Sequence, residues 1–125
     1  MEPATARDFR GVGPLHRVAR RFQPADRAAA RGALSLPADA LCLGIVGRFG
    51  QFKRHRQLLE AFEKIAPRFS NARLLVVGGG GSEEGAITKR VQASAFRSRI
   101  HLLGFQPDPR ACYQALDLLV VPSVN

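Results

Sequence analysis

Four short apolar runs constrain the fold more than any other feature of the sequence. They are nearly continuous in leucine, isoleucine and valine and do not alternate with polar residues, which is typical of parallel strands covered on both faces. The runs are LCLGIVG, RLLVVG, IHLLGF and DLLVVP, and they begin at Leu41, Arg73, Ile100 and Asp117. We therefore expect four buried strands in one sheet.

Helical patterns separate these runs. The longest apolar stripe, with three- and four-residue spacing, consists of Leu58, Leu59, Phe62, Ile65, Ala66 and Phe69. A shorter stripe follows the second run at Ile87, Val91 and Ala95. Asp108 and Pro109 are typical of an N-cap and a first helical position, and they predict a third short helix.

The alternation of strands and helices predicts a doubly wound, mostly parallel α/β sheet of the Rossmann-like type, with right-handed crossovers. In the common strand order 3-2-1-4-5-6, the first and fourth strands are neighbours, and ligands bind beyond their carboxyl ends. That crevice would be lined by GRFGQFK after the first strand and PSVN after the fourth.

The size of the chain, 125 residues, suits one domain with its own core. Residues 1–23 are rich in arginine and weakly periodic, which favours a linker or an arm laid over a surface. PADRAAARGAL, residues 24–34, has helix formers behind a proline and predicts a helix before the first strand. We place the domain at residues 24–125.

The charge balance points to anionic partners. There are 19 Lys and Arg against 10 Asp and Glu, a net charge of +9, which suits nucleotide phosphates, nucleic acid or acidic lipid without choosing among them. A nucleic-acid partner is not expected, because the chain has one Tyr, no Trp and no known recognition motif.

Two glycine-containing loops compete for a phosphate group. VVGGGGSEEG lacks both GxGxxG and GxxxxGK[ST], and Glu83 and Glu84 in the following helical turn would repel an anion. The loop after the first strand carries Arg48 and Lys53 instead. A unit charge pair at 4 Å gains about 4 kcal/mol at an effective dielectric near 20, so we expect a diphosphate beside these two cations.

Other polar residues near this loop allow two interpretations. Arg54, His55 and Arg56 fit a solvated helix face better than a binding site. Ser123, at the mouth of the crevice, either donates to a phosphate or caps a following helix. Phe49 either walls the pocket or packs in the core.

The cysteines and histidines do not suggest a metal. Cys42 and Cys112 are far apart and have no metal-binding spacing, so we expect two reduced, buried thiols in a cytoplasmic protein. The three histidines are scattered, and His101 reads as a core or edge residue of a strand. The sequence also has no apolar stretch of about 20 residues that could span a bilayer, and no signal peptide.

Three segments taken together resemble a known family. GIVGRFGQFKRHRQLLEAF, LLVVGGGGSEE and IHLLGFQPDPRACYQALDLLVVPS are similar, in order and spacing, to the donor-binding C-terminal half of GT-B retaining glycosyltransferases of the family 4 type, the glycosyl transferases group 1. The resemblance covers residues 41–125. Its most specific parts are the Arg48 and Lys53 pair and the closing DLLVVPS.

The resemblance implies site residues. Arg48 and Lys53 would contact the diphosphate of a nucleotide-sugar and assist its departure, since preorganised cations stabilise the charge that develops as the glycosidic bond breaks. Gly47 would lie beside that diphosphate, and the backbone of residues 104–106 would meet the base. The residues so assigned to the nucleotide-sugar are Gly47, Arg48, Lys53, Gly104, Phe105, Gln106 and Ser123.

The resemblance also implies a metal-independent, retaining hexosyl transfer whose only small-molecule requirement is the nucleotide-sugar. Two features depart from the family pattern: Arg54 replaces a glycine, and RGVG at residues 10–13 replaces the usual NGVD-like turn of the interdomain linker. The acidic Glu-x7-Glu region of the family would begin just after Asn125. We therefore expect residues 1–23 to come from the interdomain hinge and residues 24–125 to form an incomplete domain, inactive alone.

The partners implied are a nucleotide-sugar, an N-terminal acceptor domain and, in the full-length enzyme, a peripheral contact with a membrane. The fourth strand would be an apolar edge through which the chain could self-associate. A non-catalytic nucleotide-binding Rossmann-like module is the alternative function.

Overall fold

A parallel sheet with helices on both faces forms the centre of the chain. The computed structural model describes residues 17–18, 24–47, 52–79 and 83–121. The strands are β1 (Arg17–Val18), β2 (Leu41–Val46), β3 (Ala72–Val77), β4 (Ile100–Gly104) and β5 (Leu118–Val121). The α-helices are α1 (Pro24–Ala33), α2 (Phe52–Ile65), α3 (Glu84–Gln92) and α4 (Arg110–Ala115), and a 3₁₀ turn spans Arg97–Arg99.

The four apolar runs are parallel neighbours in the order β5-β2-β3-β4. The first and fourth runs therefore lie side by side, with Leu43 opposite Leu118 and Gly44 opposite Leu119. This arrangement confirms the predicted doubly wound fold. It also places the point where the winding of the chain reverses direction between β2 and β5, and ligands of such sheets bind beyond the carboxyl ends of these two strands.

The outer edge of β5 is not left fully open. Two residues of the N-terminal segment form β1, which pairs antiparallel with β5, so that Arg17 lies opposite Val121 and Val18 opposite Val120. The sequence predicted an arm laid over a surface but an uncovered edge on the fourth strand. A two-residue strand is too short to produce a periodic pattern, which is why the pairing was not foreseen.

The two faces of the sheet bury different side chains. One layer packs Leu41, Leu43, Leu74 and Val76 against α2 and α3, and Phe62 is its largest fully buried residue. The other layer packs the intervening strand residues, including Cys42 and Leu75, against α1 and α4. Because successive strand residues point to opposite faces, both sets must be apolar, which explains the unbroken runs.

Two helix boundaries differ from the sequence prediction. Helix α3 ends at Gln92, so Ala95 is exposed, while Ser94 is buried. Helix α4 begins at Arg110, one residue after Pro109, and the Asp108 carboxylate accepts a hydrogen bond from the Arg110 backbone N–H at 3.2 Å. Asp108 therefore does satisfy a free donor of the first turn, as a capping residue should.

The two cysteines are free and buried in the layer formed with α1 and α4. Burial raises the pKa of Cys42 to about 11, and it also raises the pKa of Cys112. Both thiols are therefore protonated at neutral pH, as expected of structural cysteines.

A buried ionic network joins α1 to the start of β5. The Asp117 carboxylate accepts hydrogen bonds from Arg31 Nη2 at 2.5 Å and from the Cys42 backbone N–H at 2.9 Å, and it lies 2.9 Å from Arg27 Nη1. Arg31, which is 3% exposed, also donates to the carbonyls of Ala38 and Ala115. Since each buried charge has a partner, the network can exist in a low-dielectric interior.

Asp117→Asn should destabilise the fold strongly, because it leaves the buried guanidinium of Arg31 without a counter-charge. Breaking such a pair from one side costs about 3–5 kcal/mol. Urea denaturation followed by circular dichroism measures this, with the exposed Asp39→Asn as the matched control. Equal stabilities of the two variants would contradict the role of the network.

Gly44 in β2 packs closely against Leu116, the residue that follows α4. A Cβ atom on Gly44 would stand 2.5 Å from Leu116 Cδ2, so the bare backbone of β2 gives room for this fully buried side chain. Gly44→Ala should therefore destabilise the protein by about 1–3 kcal/mol through overpacking. Gly85→Ala in α3, where a Cβ atom meets nothing within 4 Å, should be neutral or stabilising by about 0.5–1 kcal/mol. A Gly44→Ala variant as stable as the parent would show that Leu116 repacks freely.

The contact between α2 and α3 makes stability depend on pH. Arg90 donates two hydrogen bonds to the Glu63 carboxylate, and this contact lowers the pKa of Glu63 below its ordinary 4.5. A depressed carboxyl pKa contributes stability above pH 4.5, and that contribution is lost as the pH falls through the folded-state value. Melting temperatures measured from pH 7 to pH 3 should therefore fall less steeply for Glu63→Gln than for Glu60→Gln, which alters an exposed carboxylate on the same helix. Parallel curves for the two variants would contradict this assignment.

Candidate functional site

Three consecutive strand ends are joined by backbone hydrogen bonds at the carboxyl edge of the sheet. Gly47 follows β2, Gly78 follows β3, and Gly104 ends β4. The Gly47 N–H donates to the Val77 carbonyl at 3.0 Å, and the Gly78 N–H donates to the Gly104 carbonyl at 2.7 Å. The loops that leave these strands therefore start from one continuous backbone surface.

The contact between the first two loops requires glycine. Gly78 has φ of +124°, a conformation that side chains of L-residues rarely allow. A Cβ atom at this position would also stand 1.8 Å from the Gly47 carbonyl oxygen. The sequence predicted only that this loop is a poor site for a phosphate group, and it gave no sign of this contact.

The residues predicted to hold the diphosphate lie on the connection from β2 to α2. Gly47 is exposed and has φ of +150°. Lys53 is the second residue of α2, and at this residue the structure describes only the backbone. Arg48 and Ser123 lie outside the described residues. The assignment of Arg48, Lys53 and Ser123 to the nucleotide-sugar stays a prediction.

The residues predicted to meet the base lie two strands away on the same edge. Gly104 has φ of +67°, and Phe105, which follows it, is 77% exposed. Gln106 is half-buried, and its side-chain amide donates to the Leu103 carbonyl at 2.7 Å. This loop therefore presents an aromatic ring and open backbone to solvent beyond the end of β4.

The β3–α3 loop lies between these two loops. The Cβ position of Gly79 would be 3.0 Å from Glu84 Oε1 and 3.7 Å from the Phe105 backbone nitrogen. Glu84 occupies the first turn of α3, as the sequence predicted, and Glu83 precedes it as the N-cap. The carboxylate of Glu84 thus places negative charge beside the loop of Phe105.

The first turns of α2 and α3 differ in charge. Helix α2 has no acidic residue in its first turn, whereas α3 begins with Glu84. A helix amino end carries a partial positive charge and free N–H groups that favour anions. Of these two helices, α2 therefore presents the better anion-binding end, and it does so directly after the loop that contains Arg48.

The cluster of cations at the start of α2 is not one solvated face. Arg56 is exposed and lies 3.7 Å from Glu60 at the i,i+4 position, as expected. His55, however, is 6% exposed and Arg54 is half-buried. The interpretation as surface charges was therefore wrong for His55, because the first turn of α2 directs this ring towards the protein interior.

His101 lies away from the candidate site, in the outer strand β4. Its Nε2 atom is 3.3 Å from Nη1 of Arg73 on β3. Burial and the adjacent Arg73 both lower the pKa of His101 below 6.5. The prediction of an edge histidine in a strand agrees with this position.

Within the part of the chain that the structure describes, no cluster of three or more His, Cys, Asp or Glu could hold a metal ion. None of the helices in that part is long and apolar enough to cross a membrane.

The fold is a Rossmann-like α/β sheet, and the loops of the candidate site follow the carboxyl ends of its parallel strands. The family profile of the glycosyl transferases group 1 matches residues 40–125. The chain therefore belongs to this family of glycosyltransferases.

Relatives of known activity support the same family. The chain is 34% identical over 115 residues to the D-inositol 3-phosphate glycosyltransferase of Saccharomonospora viridis, covering 84% of this chain and 27% of that protein. It is 35% identical over 117 residues to the enzyme of the same name from Mycobacterium leprae, covering 83% of this chain and 25% of that protein. The chain thus spans about a quarter of the length of these relatives.

Two solved structures share the fold. One is Anabaena HepE in complex with UDP and glucose, with a TM-score of 0.63 and 22% identity over 79% of this chain and 27% of that chain. The other is the C-terminal domain of a glycosyl transferase group 1 family protein from Francisella tularensis, with a TM-score of 0.60 and 18% identity over 87% of this chain and 54% of that chain. The α/β sheet is thus of the kind found in GT-B glycosyltransferases.

Proposed function

We propose that this chain binds the nucleoside diphosphate part of a nucleotide-sugar and serves as the donor-binding domain of a metal-independent, retaining hexosyltransferase. The observation that carries the proposal is the position of two elements. Strand β2 lies beside β5, and helix α2, which follows β2 in the chain, begins at Phe52 without an acidic residue in its first turn. Ligands of doubly wound sheets bind beyond the carboxyl ends of such neighbouring strands.

The chemistry requires positive charge at this loop. Glycosyl transfer breaks the bond between the sugar and the diphosphate, and negative charge grows on the departing oxygen. Arg48 and Lys53 would stabilise that charge directly, and the amino end of α2 would add its partial positive charge. Each 1.36 kcal/mol of such preference for the transition state raises the rate tenfold.

The base would lie across the β3–α3 loop from the diphosphate. The loop Gly104–Gln106 offers backbone groups and the exposed Phe105 ring on the same edge of the sheet. UDP is the first nucleotide to test, because the similar fold of Anabaena HepE was solved with UDP and glucose. The name of the curated relatives suggests an inositol phosphate as the first acceptor to test in a longer polypeptide that includes this domain.

The proposal separates binding from transfer. The acceptor would be held by a part of the enzyme beyond this domain, since the chain spans about a quarter of its relatives' length. We therefore expect the 125-residue chain to bind the nucleotide without transferring sugar. Binding without transfer by the longer polypeptide as well would favour a non-catalytic nucleotide-binding module instead.

UDP should raise the melting temperature of the chain, and Arg48→Ala and Lys53→Ala should each remove most of this shift. The physical reason is that a ligand stabilises the folded state by RT ln(1 + [L]/Kd), about 2.7 kcal/mol at a hundredfold excess over Kd. Isothermal calorimetry would give the Kd values directly. GDP and ADP in the same assay would identify the base.

The matched control for these substitutions is Lys64→Ala. Lys64 is exposed in the last turn of α2, eleven residues and therefore about 16 Å along the helix from Lys53. Lys64→Ala removes the same charge from the same helix as Lys53→Ala but at a distance from the proposed site. It should therefore leave the UDP-induced shift in melting temperature intact. Full protection by UDP in the Arg48→Ala, Lys53→Ala double variant would overturn the site assignment, and a steep salt dependence with any polyanion would indicate nonspecific binding.

A further inference from the structure

We propose that Gly78 is a positioning residue that sets the distance between the diphosphate-binding loop and the base-binding loop. This inference rests on the proposed function. Gly78 touches both loops through its backbone: its N–H donates to the Gly104 carbonyl, and its Cα faces the Gly47 carbonyl oxygen. Neither contact involves a side chain, so both depend on the backbone path of one residue.

Two independent constraints keep this path available to glycine alone. The first is steric, since an added Cβ atom would meet the Gly47 carbonyl oxygen at 1.8 Å and the carbonyl carbon at 2.9 Å. The obstacle is backbone and cannot rotate away as a side chain can. The second is conformational, since φ of +124° is strained for any L-residue with a side chain. Relief of either strain must move the Gly47 loop, the Gly78 peptide or both.

Such a movement would change spacing rather than chemistry. The Gly47 N–H bonds to the Val77 carbonyl, one residue before Gly78, so the first loop follows any shift of the β3 end. The base-binding loop loses its fixed distance from the diphosphate-binding loop when the Gly78 N–H turns away from the Gly104 carbonyl. A nucleoside diphosphate must reach both loops at once, whereas its separate parts need only one loop each.

The experiment compares three ligands on Gly78→Ala. Calorimetry and ligand-observed NMR should show that UDP affinity falls roughly ten- to a hundredfold, up to the factor of about a hundred by which a misplacement of about 1 Å can slow an enzymatic reaction. Pyrophosphate and uridine, measured separately, should keep their affinities, because each loop moves as a unit. A structural role alone would instead reduce binding of all three ligands by the same factor, and that result would overturn the proposal.

Gly44→Ala is the matched control, because it also adds a methyl group to a tightly packed glycine but does so in the middle of β2 against Leu116. It should lower stability and leave the UDP affinity of the folded protein unchanged. Unchanged UDP affinity in Gly78→Ala overturns the positioning role alone. Failure of the unsubstituted chain to bind UDP overturns the proposed function and this inference with it.

A measurement on the unsubstituted chain decides the matter if Gly78→Ala does not fold. Hydrogen exchange of the Gly47 and Gly78 amides should slow when UDP binds, because a ligand that spans both loops holds both hydrogen bonds closed. Pyrophosphate alone should slow the Gly47 amide and leave the Gly78 amide unchanged. Equal exchange at Gly78 with and without UDP would overturn the proposal.

Discussion

The ionic contact of Asp117 with Arg31 holds the arrangement on which the candidate site depends. Asp117 precedes β5, and its carboxylate also binds the Cys42 N–H at the start of β2. The Asp117 N–H in turn donates to the Cys42 carbonyl at 2.8 Å. These bonds align the amino ends of the two strands, whose opposite ends bound the crevice. The ionic contacts at the amino ends of these strands thus support the candidate site at their carboxyl ends.

The candidate site itself is organised mainly by backbone. Three strand ends are joined by hydrogen bonds through Gly47, Gly78 and Gly104, so the loops beyond them start from fixed positions. Under the proposed function, these backbone contacts would keep the diphosphate and the base at a set separation. Because they involve no side chain, they depend on the backbone path of the three glycines and not on the side chains of the loops that follow.

The sequence predicted much of the fold because the relevant signals are local. The unbroken apolar run from Leu41 required a strand covered on both faces. The stripe from Leu58 to Phe69 required one apolar helix face, although helix α2 itself ends at Ile65. Contacts between distant residues left no such signal. Asp117 looks like any polar residue before a strand, and Gly78 looks like the other glycines of GGGGS. Their roles arise only when Arg31 and Gly47 are brought to them by the fold. The prediction for His55 was wrong for a related reason. Its position between Arg54 and Arg56 suggested a solvated helix face, whereas its burial depends on how the fold places the first turn of α2.

The two buried thiols give the protein a built-in reporter of one particular motion. Cys42 lies in β2 and Cys112 in α4, both are buried in the layer formed with α1 and α4, and the opposite layer formed with α2 and α3 contains neither. A small alkylating reagent applied under native conditions would therefore record how often α1 or α4 lifts from the sheet. Labelling faster than unfolding of the whole domain would indicate a partial opening on that side, without any engineered label.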